Sequence, residues 1–161
     1  MKETVILFIF IMHSFISLSQ TKESDLIVHS FSEIEQLQKI NPKPIVIFTY
    51  TDWCKICFGM KKTTFTNKEI LKTLNEKFYF VKLNAEKNKD IIFLGRKFKF
   101  ISSGNKTGIH QLAKELASIK GKMSYPTTTI LNSKFEIDIQ LPGYVNAKKM
   151  MLILEKYLSI N

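Results

Sequence analysis

The chain contains two cysteines, and they stand three apart: Cys54-Lys55-Ile56-Cys57. A thiolate is a nucleophile, and two thiols at this spacing can close a small disulfide ring and so hold or release two electrons. The surroundings strengthen the redox reading. The pair directly follows a β-branched and aromatic run, Ile45-Val46-Ile47-Phe48-Thr49-Tyr50, and opens a stretch of helical pattern. The first turn of a helix presents unpaired N–H groups and the positive end of the helix dipole, which stabilise a thiolate and lower its pKa. On this reading Cys54, at the outer end of the helix, attacks a substrate disulfide, and the more buried Cys57 resolves the mixed disulfide. Lys55 adds positive charge near the sulfur and favours the thiolate.

Other uses of the pair compete with this one. A zinc site needs two further ligands; there is no second cysteine pair, and His29 and His110 lack ligand spacing and are expected at the surface, so no metal is expected. A purely structural disulfide would close a tiny loop and restrict the unfolded chain little. Inert buried thiols are the third alternative.

The elements that must position the pair follow from periodicity. Residues 45–50 read as a strand covered on both faces. Before it, Phe31, Ile34, Leu37 and Gln38 begin a helical pattern that Ser30 or Ser32 can cap and that Asn41-Pro42 ends. Residues 20–30 are polar, a lead-in or a weak first strand. After the cysteines, Asn67 can cap a second helix carrying Ile70, Leu71 and Leu74 on one face. Residues 78–83 are the next strand, and strand–helix–strand order predicts a parallel pair. Gly95-Arg96, flanked by Ile92, Leu94, Phe98 and Phe100, predicts a hairpin over 91–101 with Gly-X at its turn. Residues 102–105 read as a loop, and Ile109, Leu112, Ala113 and Leu116 predict a helix over 108–119. Strands at 127–131 and 137–142 and a closing helix at 147–158, with Met150, Met151, Leu154, Tyr157 and Leu158 inward, complete the chain.

With 161 residues, 45% hydrophobic and 24% charged, the sequence suits one packed domain and excludes a disordered chain. The net charge is +10, yet of 24 basic residues only Arg96 is an arginine. Dispersed lysines predict a solvated surface rather than a nucleic-acid site, where arginine forks dominate base reading. Lys2 followed by an apolar run from Val5 to Leu18, too short for the ~20 residues of a membrane span, reads as a signal peptide. Cleavage is expected after Ser19, leaving residues 20–161 as one domain in the periplasm or secreted, without a stable membrane anchor. Disulfides persist in such compartments.

Trp53-Cys54-Lys55-Ile56-Cys57 resembles the active site of the thioredoxin superfamily. Three further matches fall in the same order. Phe80-Val81-Lys82-Leu83-Asn84 is similar to the strand whose lysine lies near the buried cysteine, Tyr125-Pro126-Thr127 looks like the cis-proline loop, and Gly143 resembles the glycine before the last helix. The resemblance spans residues 31–158, and the stretch 121–128 looks like exported bacterial thioredoxin-like proteins. It implies an α/β thioredoxin fold, a central mixed sheet flanked by helices on both faces, with a hairpin-plus-helix insertion at 91–119 before the cis-proline. It implies a thiol–disulfide oxidoreductase acting as a monomer on protein thiols or disulfides, recharged by a redox partner, with no organic cofactor. Trp53, Tyr125 and Pro126 would shape the substrate groove, the Tyr125 backbone lying against Cys54 and offering its N–H and C=O to an extended substrate.

The departures matter. Phe48 stands where thioredoxins carry a buried acid, so Lys82, Asp52 or a water would have to take the proton of the buried thiol; Asp52 reads more simply as a solvated turn residue. Lys55-Ile56 replaces Gly-Pro, so the reduction potential does not carry over, although the resemblance leans towards reduction or general exchange over strong oxidation. The alternative function is a non-catalytic thioredoxin-like binding module that uses the proline loop and the insertion to hold a partner, its disulfide only structural.

Overall fold

The computed structural model describes residues 25–104 and 107–160; the signal-peptide expectation at 1–19 lies outside them. The elements in chain order are α1 (Phe31–Ile40), β1 (Ile45–Tyr50), α2 (Lys55–Thr63), α3 (Lys68–Lys77) and β2 (Tyr79–Asn84). An insertion follows: β3 (Ile91–Phe93), β4 (Arg96–Phe98), β5 (Phe100–Gly104), β6 (Thr107–His110), α4 (Gln111–Ala117), β7 (Ser118–Ile119) and β8 (Lys122–Met123). The chain closes with β9 (Thr127–Leu131), β10 (Ile137–Pro142) and α5 (Ala147–Ile160).

The main sheet has the order β10-β9-β1-β2. β1 runs parallel to β2, from Ile45↔Tyr79 to Tyr50↔Asn84, and antiparallel to β9, from Ile45↔Leu131 to Thr49↔Thr127. β10 pairs antiparallel with β9. The sheet is therefore mixed, as expected. Of the expected lead-in at 20–30, the described residues 25–30 contribute a bridge on the sheet's outer edge, Val28 beside Phe80, with the His29 N–H donating to the Phe80 carbonyl.

Period-2 alternation sorts the strand side chains into two cores. Val46, Phe48, Phe80 and Ile130 face α2, α3 and α5 and pack with Cys57, Met60, Ile70, Leu74, Met150, Leu154 and Tyr157. Ile45, Ile47, Val81 and Leu131 face α1 and α4 and pack with Phe31, Ile34, Leu112, Ala113 and Leu116, together with Phe93 and Phe98 of the insertion. Residues of β1 up to Thr49 are buried on both faces, which is why its sequence shows no alternation. The expected caps hold. The Ser30 hydroxyl accepts the Glu33 N–H while the Glu33 carboxylate accepts the Ser30 N–H, and Asn67 accepts the N–H groups of Glu69 and Ile70. In α5 Met150, Leu154 and Tyr157 are buried and Met151 partly so, but Leu158 lies at the surface.

The insertion differs from its sequence reading in four ways. The hairpin turns on Leu94-Gly95, not Gly95-Arg96. Both turn residues have positive φ, 51° and 71°, the turn whose twist matches antiparallel strands, and the Leu94 N–H is held by Glu35 of α1 at 2.6 Å. Phe100 belongs to a second hairpin, β5 with β6, so residues 102–104 are strand rather than loop. The helix expected over 108–119 shrinks to Gln111–Ala117, because Thr107–His110 pairs with β5. A Cβ on Gly108 would come within 2.4 Å of the Ile101 carbonyl and the Phe100 ring, so only glycine admits this approach. Finally, His110 is fully buried, not a surface residue.

Candidate active site

β1 delivers the chain to the site. It ends at Tyr50; a turn over residues 51–53 follows, in which the Cys54 N–H donates to the Thr51 carbonyl, and α2 begins at once. Cys54 is the N-cap of α2: its sulfur accepts the Cys57 N–H at 3.1 Å and its carbonyl accepts the Phe58 N–H. Such a bond becomes charge-assisted when the sulfur is anionic, and the helix dipole acts in the same sense. Cys54 and Cys57 are joined as a disulfide with Cα atoms 5.2 Å apart. Cys57 is wholly inaccessible, whereas Cys54 retains 7% of its surface, the expected order of burial.

Large apolar side chains close to Cys54 in the chain are exposed. Trp53 is 65% exposed, Ile56 58% and Phe58 57%. Trp53 meets Tyr125 edge to face, ring centroids 6.1 Å apart. Tyr125 precedes Pro126 through a cis peptide bond, and Tyr125 packs against the core that holds both cysteines. Pro126 is buried, and its carbonyl accepts the N–H of Gly143, whose φ of +83° suits glycine. The structure thus brings Trp53, Cys54, Cys57, Tyr125 and Pro126 into one neighbourhood.

The two lysines occupy different places around that cluster. Lys55 is exposed in the first turn of α2. Lys82 pairs in register with Phe48 and so stands on the cysteine side of the sheet, lining a groove with Lys61 and Phe65. Burial and then the charge of Lys61 lower the Lys82 ammonium pKa. Phe48 is fully buried, stacked on Tyr50 and edge-on to Phe65, so a hydrocarbon ring fills the place of the acid. Lys61 lies 3.9 Å from the Tyr50 ring centroid, a cation–π contact beside the same groove.

The sequence reading missed Glu86 and gave Asn84 no role at the site. Glu86 accepts the Trp53 indole N–H at 2.9 Å. Asn84 accepts the Glu86 N–H and donates its amide to Asp52, which is an exposed turn residue as expected. Together they tie the end of β2 to the turn before the cysteines. Burial raises the pKa of two phenols, Tyr125 and Tyr50, and the charges of Glu86 and Asp52 respectively add to it. No local pattern marks Glu86; only the fold brings it to Trp53, 33 positions away.

A disulfide at the N-terminus of a helix that leaves a central strand, opposite a cis-proline loop, defines a thioredoxin-fold protein with a redox-type cysteine pair. The sequence matches the thioredoxin-like domain family over residues 31–158, and the chain belongs to that family. No curated protein matches it at a significant level. Among solved structures it is similar to a DsbH oxidoreductase, at 14% identity and TM-score 0.60, covering 94% of this chain and 99% of the other. A thioredoxin from Thermus thermophilus aligns at 13% identity and TM-score 0.59, covering 84% and 88%. A putative disulphide-isomerase from Bacteroides thetaiotaomicron aligns at 22% identity and TM-score 0.54, covering 83% and 90%. These likenesses establish the fold.

Proposed function

We propose that the protein is an exported thiol–disulfide oxidoreductase, working in the periplasm or as a secreted protein, that exchanges disulfides with protein substrates. The observation that carries this reading is the Cys54 sulfur held as N-cap of α2, bonded to the Cys57 N–H and closed on Cys57. Residues 1–19, read as a signal peptide, support the location.

In the reduced protein the Cys54 thiolate attacks one sulfur of a substrate disulfide. That S–S bond breaks, the departing substrate sulfur takes up a proton, and Cys54 holds the other in a mixed disulfide. Cys57 then loses its proton and attacks the Cys54 sulfur. The mixed bond breaks, the second substrate sulfur leaves as a thiol, and the Cys54–Cys57 disulfide remains. Two electrons pass to the substrate, and a partner dithiol restores the reduced pair. Lys55 favours the attacking thiolate, the positive charge of Lys82 on the cysteine side of the sheet favours ionised Cys57 while water takes its proton, and Trp53, Tyr125 and Pro126 bound the groove.

Turnover with single mutants tests the reading. Cys54→Ser is expected to abolish reduction of a protein disulfide, and Cys57→Ser to accumulate mixed disulfides with clients. Full biological activity in both mutants would instead favour a binding module.

A further inference from the structure

Four bonds tie the loop after β2 to other segments, and a fifth holds the histidine that makes two of them. At its start the Ala85 N–H donates to the Tyr50 carbonyl at 2.8 Å, and the Ala85 carbonyl accepts the His110 N–H at 2.7 Å. At its far end the Lys89 carbonyl lies 3.1 Å from His110 Nε2. His110 Nδ1 accepts the Leu112 N–H at 3.2 Å, capping α4. A carbonyl only accepts, so Nε2 carries the proton and the imidazole is neutral. Between the two carbonyls that His110 holds sits Glu86, whose carboxylate accepts the Trp53 indole N–H.

We infer that His110 is a positioning residue for Trp53: the insertion grips the 85–89 loop at both ends through this one buried residue and thereby fixes the Glu86 carboxylate that orients the indole beside Cys54. A buried imidazole with both ring nitrogens bonded has little freedom, since moving it would leave polar atoms unsatisfied. Burial lowers its pKa, while the Lys89 carbonyl and Asp90 act in the opposite sense; the charges around it are Asp90, itself paired with Lys97, and Lys99. The neutral strut therefore stands at neutral pH. This gives the insertion a part in the site even though none of its side chains reaches the cysteines in the contacts described above. The inference rests on the proposed role of Trp53 in the groove, but its readouts do not need turnover.

Trp53 is the only tryptophan, so its fluorescence reports this site alone. Time-resolved anisotropy would compare the native chain with Glu86→Ala, His110→Asn, His110→Gln and Arg96→Ala. Asn can still cap α4 but falls short of Lys89, whereas Gln can reach Lys89. Loss of one such bond is expected to raise the freely rotating fraction of Trp53 about fivefold in His110→Asn, as in Glu86→Ala, and less in His110→Gln. Arg96→Ala, which removes a surface ion pair with Glu115 elsewhere in the insertion, leaves it unchanged. His110→Asn is also expected to raise KM for a protein disulfide without changing the rate with a small aromatic disulfide. A folded His110→Asn whose Trp53 stays as rigid as in the native chain overturns the inference. Should the variants not fold, NMR relaxation on the native chain decides. The Glu86 amide and Trp53 indole should share the order parameter of the Leu112 amide, about 0.85, and values below about 0.6 for the first two overturn it.

Discussion

The cysteine turn and the insertion solve the same problem, placing side chains outside a regular sheet, by different means. The turn at 51–54 hangs between a strand paired on both sides along its length and a helix of nine residues. The insertion holds one helix of seven residues, α4, and strand pairs whose strands are two to five residues long. Two of its hairpins turn on an X-Gly pair of positive φ, Leu94-Gly95 and Lys120-Gly121. Short pairings have little cooperative strength of their own, so side chains lock them: His110 onto the 85–89 loop, Gln111 onto the Lys99 N–H, Glu35 onto the Leu94 N–H. The site's chemistry thus rests on the continuous sheet, and the insertion is an attachment whose influence reaches the site through a few identifiable bonds.

The contrast predicts that damage to the sheet costs more than damage to the insertion. Phe48→Ala removes a fully buried ring beneath the cysteine turn and should destabilise by about 3–5 kcal/mol in urea unfolding. It should also loosen the turn, so that the Cys54–Cys57 reduction potential shifts. Gly108→Ala forces a Cβ into the Ile101 carbonyl and Phe100 ring and should cost about 1–3 kcal/mol. Hydrogen exchange should rise in β5 and β6, with the reduction potential unchanged; a shift as large as that of Phe48→Ala would dissolve the distinction between the two regions.

The smallest effect concerns pH. The folded imidazole of His110 binds its proton less readily than an ordinary one. As pH falls below about 6.5 the unfolded chain takes up that proton first, so stability declines and levels off once the folded imidazole is also protonated. Urea midpoints should fall across this window in the native chain, and less in His110→Asn. An equal decline in both would assign the loss to other groups.

Much of the main domain was legible because its signals are local and mutually consistent. Continuous burial in 45–50, caps at Ser30 and Asn67, and Tyr125-Pro126 before a β-branched run each sit within a few residues of the feature they specify. Misreading of the insertion has a physical cause as well. Leu94 with positive φ carries no turn signature of its own, and its conformation is held by a bond from α1. Ile109 fits a helical repeat with Leu112 and Ala113 but is taken by pairing with Ile101. Glu86 and His110 act through contacts between distant segments, which no spacing reveals.

The proposed chemistry requires that the Cys54 sulfur be activated by its place at the start of α2. In the reduced protein, the rate of alkylation of Cys54 by iodoacetamide at neutral pH, measured beside a cysteine in a short unstructured peptide, tests it directly. Cys54 should react several-fold faster, with Cys57 protected. A Cys54 that reacts no faster than the peptide thiol would contradict the claim and leave the fold without its proposed chemistry.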